Sequence, residues 1–321
     1  MTENGIGSGQ ALQNTRVLIT GAGGQLGRYL RPRFERAGAT VAGIGSRSVS
    51  GVDRVVDIAR AAAVEDAISR FRPGIVIHAA AYTDVDGCER DPARAEAVNT
   101  DGSKHVAEAA RNAGAYLIAV GTDFVFPGDG EAPYAEDALP RPISVYGQSK
   151  LAGEQAVLAT HASFAVARTA WLYGGAGKHF PRTVLNVVRD RGSMDVVVDE
   201  IGCPTFAGDL ADGIVGLAAK RGSGIFHLVN EGSTSRFAFA QAVAAAAELD
   251  SAAIGATTTA EFLARFPLPA KRPADSTLIN RRAAALGISL RPWRDAVQAY
   301  VPSLAAELGV LNSGTPVPQE V

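Results

Sequence analysis

An apolar run, RVLIT (16–20), passes directly into TGAGGQLG (20–27) and from there into the helix-like stretch QLGRYLRPRFERAG (25–38). No other segment narrows the possible folds as far. Gly21, Gly24 and Gly27 recur at three-residue intervals. A turn this tight wants a residue that tolerates positive φ, and a second glycine lets backbone N–H groups approach a pyrophosphate. The third lets helix and strand pack closely, with the helix N-terminus facing the phosphate charge. Among 35 glycines such a pattern carries little alone; its place within a strand–turn–helix unit makes it specific. Gly21, Gly24, Gln25, Leu26 and Gly27 are therefore the candidate dinucleotide-binding turn.

The alternation continues downstream. ATVAGI reads as a second strand, AAAVEDAISRF as a helix and GIVIHAA as a third strand. A long helix over 94–112 precedes AYLIAVGT, and a further helix precedes FAVARTAW. This rhythm predicts an α/β fold, a Rossmann-like doubly wound parallel sheet with helices on both faces. After Gly174 the rhythm breaks, which predicts a smaller mixed α/β C-terminal lobe for the substrate. The expected layout is a flexible tail over 1–14 and a nucleotide-binding domain over 15–174 with returns near 206–230. The substrate-binding lobe takes 175–205 and 231–311, and a second flexible tail covers 312–321. Pro32 falls inside the first helix, where it should bend or shorten it.

Composition excludes several classes. A net charge of −2 and a charged fraction of 20% give no basic excess for nucleic acid or an anionic membrane. No apolar run approaches a bilayer span, and the N-terminus lacks a signal-peptide pattern. Cys88 and Cys203 stand far apart without CxxC spacing, and the five histidines are scattered. The expectation is a cytoplasmic protein with no metal site, a monomer or homodimer.

SVYGQSK (144–150) holds Tyr146 with Lys150 one helical turn later, on one face. Thr122 ends the fourth strand, where doubly wound sheets place their ligands. A hydroxyl, a phenol and an ammonium converging there suit carbonyl reduction: Thr122 and Tyr146 hold the oxygen, and Tyr146 donates the proton. Free tyrosine titrates near ~10, so Lys150 and an oxidised nicotinamide are needed to favour the phenolate. The second strand ends in GIGSRS without the carboxylate that commonly binds the ribose of NAD. Ser46 and Arg47 stand there instead, and Arg47 suits a 2′-phosphate, so NADPH is expected with NADH as the alternative.

Taken together, these motifs resemble the extended short-chain dehydrogenase/reductases, and among them the dTDP-4-dehydrorhamnose reductase family. The likeness runs through TGAGGQLG, VDI (56–58), HAAAYTDVDGCE (78–89), AVN (97–99), GTDFVFPG (121–128), YGQSK (146–150), RTAWLYG (168–174), DEIGCPT (199–205), RPADSTL (272–278) and LRPW (290–293). It implies catalysis by Thr122, Tyr146 and Lys150, with Asp57 and Ile58 at the adenine and Ala79, Ala80 and Ala81 lining the cofactor. It also implies Thr83, Val85, Asp123, Phe124 and Trp171 facing a dTDP-linked 4-keto-6-deoxy sugar, and Arg272 at its diphosphate. The implied reaction reduces the C4 ketone, ending in dTDP-L-rhamnose in typical members. Four positions depart from the usual pattern: His78 where asparagine is frequent, Gly121 in place of a serine, His179 in place of an asparagine and Arg236 in place of a tryptophan. They leave open a related nucleotide-sugar 4-ketoreductase of an antibiotic deoxysugar pathway, of dihydrostreptose type. A 4,6-dehydratase would need an Asp-Glu pair after the threonine, whereas Asp123 is followed by Phe124. The resemblance also admits a non-catalytic role like that of the methionine adenosyltransferase β-subunit, against which the intact Thr122, Tyr146, Lys150 and Trp171 argue. The first helix is mostly basic, so the metal bridge of some family members is not expected. GGAGKHF (174–180) reads as a mobile loop over the substrate rather than a phosphate loop.

Overall fold

In a computed structural model of the protein, residues 12–310 are described. They begin with β1 (Arg16–Thr20), α1 (Gly27–Arg36), β2 (Thr40–Gly45), β3 (Arg54–Val55), α2 (Ala61–Phe71) and β4 (Ile75–His78). Next come α3 (Val85–Arg90), α4 (Pro92–Ala95), a π-helical stretch (Glu96–Asp101), α5 (Gly102–Asn112), β5 (Tyr116–Thr122), α6 (Val145–Thr160) and β6 (Ala165–Thr169). The second half runs β7 (Leu172–Tyr173), α7 (Phe180–Arg191), β8 (Met194–Val197), β9 (Ile201–Gly202), β10 (Thr205–Phe206), α8 (Ala207–Lys220) and β11 (Gly224–His227). It ends with β12 (Thr234–Ser235), α9 (Arg236–Ala246), β13 (Ile254–Thr257), α10 (Thr259–Arg265), α11 (Arg281–Ala285) and α12 (Trp293–Glu307).

Seven strands form one parallel sheet in the order β11-β6-β5-β4-β1-β2-β3. This is the doubly wound α/β architecture the alternation predicts. Both faces are covered, so the central strands read as continuous apolar runs rather than alternating ones. Leu30 and Phe34 of α1, with Leu210, Ile214 and Leu217 of α8, pack on one face; Ile68 of α2, Val106 of α5 and Val157 of α6 pack on the other. The strand order reverses between β1 and β4, and their carboxyl ends open the crevice where such folds bind ligands.

A second core joins α7, α9 and α12 through Leu185, Phe239, Val243, Val297 and Val301. Two short strand pairs, β8 with β13 (parallel) and β9 with β12 (antiparallel), add to this half of the fold. Residues 281–290 differ from their expected place in the lobe: Ala283, Ile288 and Leu290 belong to the core of the sheet domain. The N-terminal tail also ends earlier than expected. Leu12 is buried, and its N–H donates to the carbonyl of Ala37 at 3.2 Å. Residues 1–11 and the expected tail over 312–321 lie outside the described residues.

Pro32 neither breaks nor ends α1, which runs through it to Arg36. Pro32 cannot donate the i→i−4 bond to the carbonyl of Arg28, and both residues are exposed, so water can satisfy that oxygen. Burial of Leu30 and Phe34 on the opposite side outweighs the loss.

Candidate active site

The glycine turn is built as its spacing requires. Gly21 adopts φ +68°, and a Cβ there would come within 2.8 Å of the backbone nitrogen of Ala80. A Cβ on Gly27 would lie 2.4 Å from the carbonyl oxygen of Gly21. Both positions let backbone pass where a side chain would stand, so the end of β1, the start of α1 and the segment after β4 meet closely. Gln25 lies in the turn, and Leu26 is buried beneath it. This cradle fits a pyrophosphate. Ser46 and Arg47 follow β2 on the surface; Arg47 makes no hydrogen bond or ion pair with the described residues. Asp57 is exposed, whereas the side chain of Ile58 is buried in the core and its carbonyl faces His105 Nδ1 at 3.0 Å. Ala79, Ala80 and Ala81 line the opening after β4, half-buried.

Thr122, Tyr146 and Lys150 come together across two elements. Ser144 caps α6, accepting from the Gly147 N–H at 3.2 Å, and the glycine at 147 packs its backbone against the Phe124 carbonyl. That contact seats the first turn of α6 on the segment after β5 and places the Tyr146 phenol beside the Thr122 hydroxyl. The Phe124 ring stands edge-on to Tyr146 at 5.5 Å. Burial raises the Tyr146 pKa well above that of a free phenol, and the neighbouring Thr122 hydroxyl opposes that shift. One turn on, Lys150 Nζ donates to the Val120 carbonyl at 2.8 Å. Burial pushes its pKa down to about 8, and the charge of Glu154 opposes that shift.

Below this group lies a polar network that the sequence reading missed. Asn99, in the π-helical stretch, accepts from the Tyr82 N–H at 2.8 Å and donates to the Tyr82 carbonyl at 3.1 Å and to Ser149 Oγ at 3.0 Å. Local π geometry recurs at functional sites, and here it turns a buried amide towards α6. Ser103 Oγ donates to the Asn99 carbonyl at 2.6 Å, so it accepts from His78 Nε2 at 3.0 Å. Nδ1 of His78 then accepts from the Thr20 hydroxyl at 2.8 Å. Burial, helped by the charge of Lys150, pushes His78 down to about 3 and keeps the ring neutral. Two local signals pointed here: Asn99 in the AVN motif and a histidine closing an otherwise apolar strand, GIVIHAA.

Asp123 is buried next to Thr122 and accepts from Ser276 Oγ at 2.6 Å. Burial raises its pKa to about 6 despite that bond. Thr83 and Val85 lie at the start of α3, Thr83 exposed and Val85 half-buried beside Tyr146. Trp171 holds a positive φ of +43°, a strained backbone for a bulky residue, and the Arg236 guanidinium lies 3.5 Å from the centroid of its ring. Arg272 pairs with Asp86 at 2.7 Å rather than standing free.

This constellation coincides with known sequences. The family model described as RmlD substrate binding domain matches residues 15–306. The dTDP-4-dehydrorhamnose reductase of Streptomyces griseus is 40% identical over 310 residues, covering 94% of this chain and 97% of its own length. This chain belongs to the dTDP-4-dehydrorhamnose reductase family. A probable dTDP-4,6-dihydroxy-2-methyloxan-3-one 4-ketoreductase of Streptomyces antibioticus is 41% identical over 294 residues, covering 91% of this chain and 96% of its own. Among solved structures, the dTDP-4-dehydrorhamnose reductase of Bacillus anthracis in complex with NADP superposes with a TM-score of 0.82 at 33% identity. It covers 90% of this chain and 99% of its own.

Within that reductase family, the departures of this chain acquire physical reasons. A Cβ at Gly121 would stand 2.9 Å from Arg168 Cγ and 3.0 Å from Val166 Cγ1, so the buried Arg168 occupies the space a serine would need. Gly121→Ser is expected to destabilise the fold by about 1–3 kcal/mol through overpacking, measured as a lower denaturation midpoint at unchanged slope. An unshifted midpoint would refute the steric account. His179 caps α7 through Nδ1, which accepts from the Arg182 N–H at 3.3 Å, and its Nε2 lies 3.1 Å from the Tyr300 hydroxyl. The Gly175 carbonyl faces both His179 Nε2 and the Tyr300 hydroxyl. The segment expected as a mobile loop over the substrate is thus tied at its base to α12.

Proposed function

We propose that this chain reduces the C4 ketone of a dTDP-4-keto-6-deoxy sugar, dTDP-4-dehydro-L-rhamnose being the substrate and dTDP-L-rhamnose the product. The observation that carries this reading is the adjacency of the Thr122 hydroxyl and the buried Tyr146 phenol, with Lys150 one turn behind them. NADPH supplies the hydride to C4. Thr122 and Tyr146 hold the ketone oxygen, and the raised pKa of Tyr146 keeps its proton in place until charge develops on that oxygen. Tyr146 then gives up that proton and the ketone becomes an alcohol. Lys150, with a pKa of about 8, is cationic at neutral pH; it favours the resulting phenolate and holds the nicotinamide ribose. Burial of the site excludes water and strengthens each of these interactions.

The turn from Gly21 to Gly27 holds the pyrophosphate in this reading, with Asp57, Ile58 and Ala79–Ala81 along the adenosine side and the cofactor wall. Asp123, Phe124, Thr83, Val85 and Trp171 face the sugar. Arg272 binds the diphosphate by exchanging Asp86 for phosphate oxygens, to which a rigid guanidinium fork is well matched. The direct test follows NADPH absorbance with dTDP-4-dehydro-L-rhamnose, and no consumption would reject the assignment. The similarity to the Streptomyces antibioticus ketoreductase makes other dTDP-ketosugars necessary members of the same panel.

Arg47 is assigned to the 2′-phosphate because it is exposed at the end of β2 and engaged by no described residue. Arg47→Ala is expected to raise the KM for NADPH on the order of tenfold, the worth of a charge-assisted bond, and to leave NADH unchanged. Equal effects on the two cofactors would exclude the assignment.

A further inference from the structure

Arg236 opens α9 at the mouth of the site, and its guanidinium is gripped without being consumed. Its central carbon lies 3.5 Å from the Trp171 ring centroid and 5.3 Å from that of Phe180. Nε stands 3.5 Å from Glu200 Oε2, longer than a well-formed charge-assisted hydrogen bond. The backbone N–H of Arg236 donates to the Glu200 carbonyl at 3.0 Å, so the same residue steadies main chain and side chain. The platform beneath is tightly fitted: a Cβ at Gly202 would come within 2.6 Å of the Trp171 indole. Stacking engages the faces of a guanidinium and leaves its in-plane N–H groups for acceptor oxygens. The side chain is 21% exposed, enough for a ligand to reach it.

Its position relative to its neighbours indicates which oxygens those are. Ser235, just before Arg236, pairs with Ile201, whose carbonyl accepts from the Ser276 N–H at 3.0 Å; Ser276 Oγ in turn donates to Asp123 beside Thr122, and Arg272 stands four residues earlier in the same segment. Arg236 therefore shares one wall of the site with Asp123, the neighbour of the Thr122 proposed to hold the C4 oxygen, and with Arg272, proposed to hold the diphosphate on C1. In a hexopyranosyl diphosphate those two carbons are opposite corners of the ring, and one edge between them carries the C2 and C3 hydroxyls. We infer that Arg236 is a specificity-determining residue that donates in-plane N–H bonds to the C2 and C3 oxygens, selecting nucleotide-linked ketosugars that retain both. This rests on the reductase reading above. A tryptophan, the residue common in the family at this position, offers one donor and an apolar face instead.

The test compares a dTDP-4-keto-6-deoxy sugar with its 2-deoxy counterpart, using wild type, Arg236→Ala and Arg236→Lys with NADPH. The wild type is expected to prefer the 2-hydroxylated sugar by roughly 10- to 100-fold in kcat/KM, the worth of a hydrogen bond to a charged donor. Arg236→Ala brings that ratio to within about threefold, chiefly through KM, while calorimetric affinity for dTDP alone stays unchanged. Arg236→Lys keeps the charge without the fork and loses the preference as well. Equal losses on both sugars, or an equal loss of dTDP affinity, would overturn the inference, the latter marking a phosphate clamp. If the wild type consumes NADPH with neither sugar, the reductase reading fails by itself. Calorimetric binding of the two sugars to wild type and Arg236→Ala then decides the role of Arg236, and binding that shows no Arg236-dependent preference, or no binding, overturns it.

Discussion

Tyr146→Phe is expected to lower kcat by about 10²- to 10⁴-fold, the range for losing a positioned general acid. The loss falls on kcat because the phenol proton is needed as charge develops on the ketone oxygen. Thr122 remains to hold that oxygen in the ground state. NADPH affinity should be unchanged: the glycine turn, Arg47 and Lys150, among the groups assigned to the cofactor, are untouched, and Lys150 is anchored by the Val120 carbonyl rather than by Tyr146. The edge-on contact with Phe124 survives in the variant, so the fold should too. Single-turnover reduction and fluorescence titration with NADPH separate the two effects. Undiminished turnover would discard Tyr146 as the proton donor; a matching loss of NADPH affinity would move its role to cofactor binding.

The sequence made this part of the site legible because its signals are local. Gly21, Gly24 and Gly27 declare themselves by spacing, Tyr146 and Lys150 by one helical turn, and Thr122 by ending an apolar run. Parallel strands buried on both faces likewise announce themselves without partners. What escaped depends on contacts between distant residues. Ser276 meets Asp123 across 153 positions, and the chain from Thr20 through His78 and Ser103 to Asn99 joins four separate elements. No period in the sequence encodes such a path. Arg236 was visible only as a departure from a family pattern, and its stacking on Trp171 needed coordinates. The place of residues 281–290 followed from the apolar face of α8, which their side chains cover, and not from their order in the chain.

Glu154 sits two turns beyond Tyr146 on α6, and its replacement by alanine is expected to be the most destabilising of the changes considered. It pairs with Arg168 through two contacts, one of them 2.9 Å from Nε to Oε2, and both side chains are almost wholly buried. Removing one partner leaves an uncompensated buried charge, which costs about 3–5 kcal/mol. Nη1 of Arg168 already lacks a hydrogen-bond partner among the described residues, so little remains to share the charge. Denaturant titration at constant slope measures the loss, and replacing both residues with apolar ones of similar volume should recover much of it. The milder Glu154→Gln tests the link to catalysis. The negative charge of Glu154 raises the Lys150 pKa against burial, so removing that charge moves the pKa below about 8. Less of the ammonium then survives at any pH above neutrality, and the alkaline limb of the kcat profile shifts to lower pH. An alkaline limb left where the wild type has it would show that Lys150 does not set it.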